Sequence, residues 1–117
     1  MTTLRERCLS ENVNFALANF LDDFRANPSY DYIKDSILDI DTLSDIEKAT
    51  FAATVDALCH EKQITRPNWI FDPSTYLDKP HFTMNAKGGL RIVLLRESPR
   101  WFRSRNLFVT ANCLDRV

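Results

Sequence analysis

A chain of 117 residues with 44% apolar residues, 26% charged residues and a net charge of −1 has the balance of a single soluble globular domain (1–117). That balance excludes a disordered polyelectrolyte. No run approaches the roughly 18 apolar residues of a membrane span, and the opening MTTLRERCLSEN lacks the apolar stretch of a secretory signal.

Only two glycines and five prolines disfavour an all-β fold with many tight turns. The cysteines (Cys8, Cys59, Cys113) are odd in number, which without a signal points to free thiols in a reducing cytoplasm. Thr3 and Glu6 have the spacing of a capping box and open a first helix. Val13, Leu17, Phe20, Leu21 and Phe24 continue it as one apolar face of period 3.6, and Asn27-Pro28 ends it. Phe15 falls outside that stripe. Pro28 and Ser29 predict a second, shorter helix with Tyr30, Ile33 and Ile37 inward. Ser44 and Glu47 form another capping box for a third helix through about Glu61. Its apolar positions, among them Ile46, Ala49, Phe51, Ala53, Val55 and Leu58, cover more than one face, which makes it the central helix.

The texture changes after Arg66. Asp72-Pro73 pairs an N-cap acid with proline at the first helical position and predicts a single turn through Leu77. Gly88-Gly89 breaks the chain before Leu90–Glu97, which suits a buried strand and a buried helix alike. Helix is the reading, because no convincing strand exists to pair with it. Ser98-Pro99 repeats the cap-then-proline device ahead of Trp101 and Phe102, and Leu107–Val109 is a short extended run. The expected fold is all-α: four to five helices, the long first and third packed antiparallel, a Pro-rich loop (Pro67–Phe82) wrapped over them, and a turn-rich C-terminal segment. Trp69, Tyr76, Phe82, Trp101 and Phe102 should be largely buried, since such turns hold only when anchored by large apolar side chains.

Charge is unevenly spread. Residues 1–60 carry five cations against eleven acids, and residues 61–117 ten against five. The two halves either neutralise each other or leave a face for an acidic partner. No catalytic pattern is present. Cys59-His60-Glu61 are consecutive, so on a helix they diverge by about 100° each and cannot converge on one ion. Asp56 and His60 share a face and read as a hydrogen-bonded surface pair. The acid string Asp31, Asp35, Asp39, Asp41, Asp45 lacks calcium-loop spacing and reads as a solvated face. The serines lack a nucleophile elbow, and Lys87-Gly88-Gly89 lacks the phosphate-loop spacing. Neither a metal nor a cofactor is expected, and no enzymatic activity. The remaining candidate is the arginine-aromatic segment. Arg96, Arg100, Arg103, Arg105 and Asn106 are the partner-binding candidates, with Trp101 and Phe102 interleaved. The architectural alternative has those guanidinium forks tied to backbone carbonyls or to acids such as Asp72 and Asp78.

The strings PxWIFDPxxYLDKPxF and LRxxLLxESPxxFRxRNLFVxxxxLxR resemble a family of small bacterial antitoxin-like proteins and domains. The matching positions are Pro67, Trp69, Leu77, Asp78, Pro80, Phe82, Ser98, Pro99, Phe102, Arg103, Arg105, Asn106, Leu114 and Arg116. Asn14-Phe15 and Phe20–Phe24 are similar to the family's first helix. Such relatives are often encoded beside a nucleotidyltransferase-like toxin or fused behind a helix-turn-helix domain, which has no counterpart in these 117 residues. The resemblance implies a protein partner. A stand-alone nucleic-acid-binding regulator using the basic C-terminal half is the alternative, and a homodimer is compatible with the sequence.

Overall fold

A computed structural model describes residues 3–82 and 98–109. Its helices are α1 (Leu4–Ser10), α2 (Val13–Ala26), α3 (Asp45–Lys62) and the single-turn α4 (Arg100–Arg103). Short 3-10 turns lie at Tyr30–Tyr32, Asn68–Phe71 and Pro73–Thr75. Strands β1 (His81–Phe82) and β2 (Leu107–Phe108) form one parallel pair, with His81 opposite Leu107 and Phe82 opposite Phe108. The architecture is therefore mostly helical, and no sheet of three strands exists among the described residues. No helix among them is long and apolar enough to cross a membrane. The predicted helix over Leu90–Glu97 lies outside the described residues, as does Arg96.

Both capping boxes form as read. The Thr3 hydroxyl accepts from the Glu6 N–H at 3.2 Å, and the Ser44 hydroxyl accepts from the Glu47 N–H at 3.1 Å. The first helix, however, is two. Leu4 and Cys8 are buried at i, i+4, but the next inward position is Val13, one residue out of phase. The chain breaks at Glu11–Asn12 to bring both stripes onto one core. Phe15, which an unbroken helix would carry inward in phase with Leu4 and Cys8, is 68% exposed. The second predicted helix is also corrected: only the 3-10 turn at Tyr30–Tyr32 forms, and bends follow it. Ile33, Ile37, Ile40 and Leu43 still point inward, while Tyr30 is 41% exposed.

α3 is central. Residues 51–59 are all buried, although Ile46 near its start is 39% exposed. One face, through Phe51, Ala52, Val55, Leu58 and Cys59, meets the main core with Phe20, Leu21 and Phe24 of α2. Each fully buried phenylalanine there contributes about 2 kcal/mol of transfer free energy. The opposite face is small: Ala49 and Ala53 admit Phe102, Leu107 and Val109 at close range. At its end Gln63 adopts φ 55°, and its N–H bonds back to α3 carbonyls, closing the helix with a left-handed residue in place of glycine. The Pro67–Phe82 segment wraps over α3 as expected, with Trp69 and Ile70 in the main core. The Trp69 indole N–H donates to the Ile33 carbonyl at 2.8 Å, and the Asp72 carboxylate caps the Ser74 N–H at 2.9 Å.

Candidate partner-binding face

The Ser-Pro-Arg-Trp-Phe-Arg-Ser-Arg-Asn stretch divides into an inner and an outer half. Pro99 opens α4 with an extended backbone, and the chain then turns sharply through Ser104–Asn106. Asn106 completes the turn at φ 62°, a left-handed conformation that asparagine tolerates better than most residues. Its side-chain amide donates to the Leu77 carbonyl at 2.6 Å, and its own carbonyl accepts from the His81 N–H at 2.8 Å. Ser98 is not the expected helix cap. Its hydroxyl accepts from the Val109 N–H at 2.8 Å and donates to the Val109 carbonyl at 2.9 Å, tying the two ends of the segment together.

The turn drives Arg105 inward, where it is 1% exposed. One terminal nitrogen reaches Asp56 Oδ2 at 3.3 Å and the Trp101 carbonyl at 3.1 Å, and the other reaches the Ile70 carbonyl at 2.8 Å. The guanidinium carbon sits 4.7 Å from the Tyr76 ring centre. Asp56 accepts a second guanidinium from Arg66 through its other oxygen. A planar fork on a long stem suits this arrangement, and a lysine could satisfy only part of it. The acid that holds the fork is Asp56 on α3 and not Asp72 or Asp78. Asp56 accordingly does not form the surface pair expected with His60. Arg105 and Asn106, both partner-binding candidates from the sequence, are occupied within the fold.

Arg100 and Arg103 lie on the outer half. Both are exposed, three residues apart on one helical turn, and neither makes an ion pair among the described residues. The Arg100 guanidinium stacks 4.1 Å from the Trp101 ring centre, and the His60 ring lies 4.8 Å from the same indole. Trp69 and Phe102 are buried, while Trp101, Tyr76 and Phe82 are partly so. For Phe82 the partner is the Phe108 ring, stacked at 4.9 Å across the strand pair.

Many acids in the N-terminal half find cations nearby: Asp39 meets Arg5, Glu11 and Asp23 meet Arg7, and Asp31 meets Lys34. Among the described residues, the ion pairs that cross between the halves are those of Glu61 with Arg25 and of Asp56 with Arg66 and Arg105. Arg5 also holds the Asp39 carboxyl below the usual carboxylate range, through its hydrogen bond first. Burial pushes the Cys8 thiol up to about 12 and the Cys59 thiol up to about 11. Cys59, His60 and Glu61 diverge: the thiol faces the Thr65 carbonyl, the imidazole lies tilted against Trp101, and Glu61 pairs with Arg25. No group of three or more His, Cys, Asp or Glu among the described residues could hold a metal ion. An open depression of about 860 Å³ lined by Arg5, Asp35, Ser36, Leu38, Asp39 and Asp72 contains no nucleophile–base pair.

Two contributors went unread in the sequence. Arg66 carried no motif signal. The His60–Trp101 contact joins residues 41 positions apart, for which spacing offers no cue. The sequence matches no protein-family model, and no curated protein or solved structure matches it.

Proposed function

We propose that this chain is a non-enzymatic, antitoxin-like binding module that docks and restrains an enzyme encoded beside it, of the nucleotidyltransferase-like toxin kind. The observation that carries the reading is the division within the Ser98–Asn106 motif. Ser98, Phe102, Arg105 and Asn106 are consumed as scaffold, and Arg100 and Arg103 are held outward on it with no ion pair among the described residues. A buried charged node costs desolvation that well-packed apolar residues would avoid, so its use is to fix geometry. The geometry fixed here is that of the outer turn. The cytoplasm is the compartment, supported by free, buried Cys8 and Cys59.

The test is co-expression of the chain with the tagged product of the adjacent gene. Retention of the chain through a salt wash, with loss of the enzyme's activity or toxicity, is the expected result. A steeply salt-dependent gel shift with DNA and no protein retained would instead establish the nucleic-acid reading.

A further inference from the structure

Resting on the protein-binding reading, we infer that His60, Arg100, Trp101 and Arg103 form one composite face whose occupant is an acidic segment of the partner protein, its carboxylates received by the two guanidinium groups.

Three observations lead there. The Arg100 guanidinium carbon lies over the Trp101 ring, 4.1 Å from its centre, and such a cation–π contact uses none of its N–H donors for hydrogen bonds. No hydrogen bond or ion pair of the Arg100 or Arg103 side chain exists among the described residues, so these donors face solvent in the fork geometry that carboxylates match. Second, the face is fixed from beneath at two points. Asp56 and His60 are one turn apart on α3; Asp56 holds Arg105, Arg105 holds the Trp101 carbonyl, and His60 holds the Trp101 ring. A platform ordered before binding loses little further freedom on binding. Third, the acids of α3 on either side of His60 are already paired among the described residues, Asp56 with Arg66 and Arg105 and Glu61 with Arg25.

Other occupants fit less well. Nucleic-acid stacking needs an open aromatic face, and Trp101 already carries a guanidinium and an imidazole. A two-fold dimer through this face would set Arg100 and Arg103 against their own copies.

The experiment uses the full chain and three labelled probes followed by fluorescence anisotropy at low ionic strength: a glutamate-rich peptide, its glutamine counterpart and a single-stranded oligonucleotide. The glutamate peptide is expected to bind and the glutamine peptide not. The Arg100→Glu/Arg103→Glu chain should bind the glutamate peptide at least about tenfold more weakly while melting within about 4 °C of the wild type, the shift expected from losing the Arg100–Trp101 contact. Should that chain fail to fold, Arg103→Gln alone, which removes no hydrogen bond or ion pair among the described residues, should still weaken binding severalfold. Equal binding by wild type and variant, absence of binding by wild type, or tighter binding of the oligonucleotide would each overturn the inference. So would self-association in sedimentation that the same substitutions abolish. The two readings separate in the pull-down: an enzyme retained equally by wild type and charge-reversed chain refutes this face but keeps the module, whereas an enzyme retained by neither refutes the module and leaves the peptide result to decide the face.

Discussion

Arg105→Met tests whether the buried fork organises the C-terminal segment. Methionine keeps most of the stem and removes the guanidinium, so the three hydrogen bonds to Asp56, Trp101 and Ile70 are lost together. Stripping one partner from a buried ion pair costs about 3–5 kcal/mol when the other is left orphaned. Here each acceptor keeps a second donor: Asp56 keeps Arg66, the Ile70 carbonyl keeps the Thr75 hydroxyl at 2.8 Å, and the Trp101 carbonyl keeps the Ser104 hydroxyl at 3.3 Å. The lower end, about 3 kcal/mol, is therefore expected. For a chain of this length that is a fall of about 12 °C in Tm, read by far-ultraviolet circular dichroism at pH 7. The double variant Asp56→Leu/Arg105→Met should lose less than the two single changes added together. It buries no unpaired charge, and Arg66, a third exposed, can turn to water. A single variant melting within about 2 °C of wild type would refute the reasoning.

Ser44→Ala removes the cap of α3 and should cost about 1 kcal/mol, seen as a lower urea midpoint at unchanged slope; an unaltered midpoint would count against the capping box. In a Cys113→Ser background, Cys8 and Cys59 should resist a thiol reagent at pH 8 and react fully only in denaturant, since burial holds their thiols protonated at about 12 and about 11. Fast labelling of the native chain would contradict that. Asp39 and Asp72 are held below the ordinary carboxylate range, the first by Arg5 and the second by the Ser74 N–H. Their contribution is complete above the unfolded value of about 3.9 and is lost as pH falls through the lower folded values. Urea midpoints should thus fall on acidification below about pH 4, and Asp39→Asn should make that fall shallower; identical slopes would rule the Arg5–Asp39 pair out as a source.

What could be read in advance was local chemistry. Thr3 with Glu6, Ser44 with Glu47 and Asp72 with Pro73 act within a few residues, and each forms as its spacing suggests. The breadth of the apolar positions in α3 likewise announced burial on two sides. The break at Glu11–Asn12 was present as a phase slip between Cys8 and Val13, hidden by the strong stripe that follows. The identity of the acid under Arg105 was not legible at all. Asp56 is 49 positions away, inside an alanine-rich helix turn, and nothing local separates it from the exposed aspartates. Ser98 misled for a related reason: a serine before proline suits a helix cap, yet the pairing of Ser98 with Val109 satisfies the same hydroxyl across the fold.

The two-sided cover of α3 bears on how the protein reaches its fold. A connection of 18 residues runs from α2 to the opening of α3 at Asp45, and α1 and α2 close on Phe51, Val55 and Leu58. Residues 98–109 return over the 35 residues after α3, about twice that contour, to reach Ala49, Ala53 and Asp56. Loop closure becomes dearer by only about 0.6 kcal/mol for each doubling of contour, but that entropy is spent before any contact is gained. Loop-closure entropy therefore favours covering the Phe51–Leu58 face of α3 first and its Ala49–Ala53 stripe last, by about 0.6 kcal/mol.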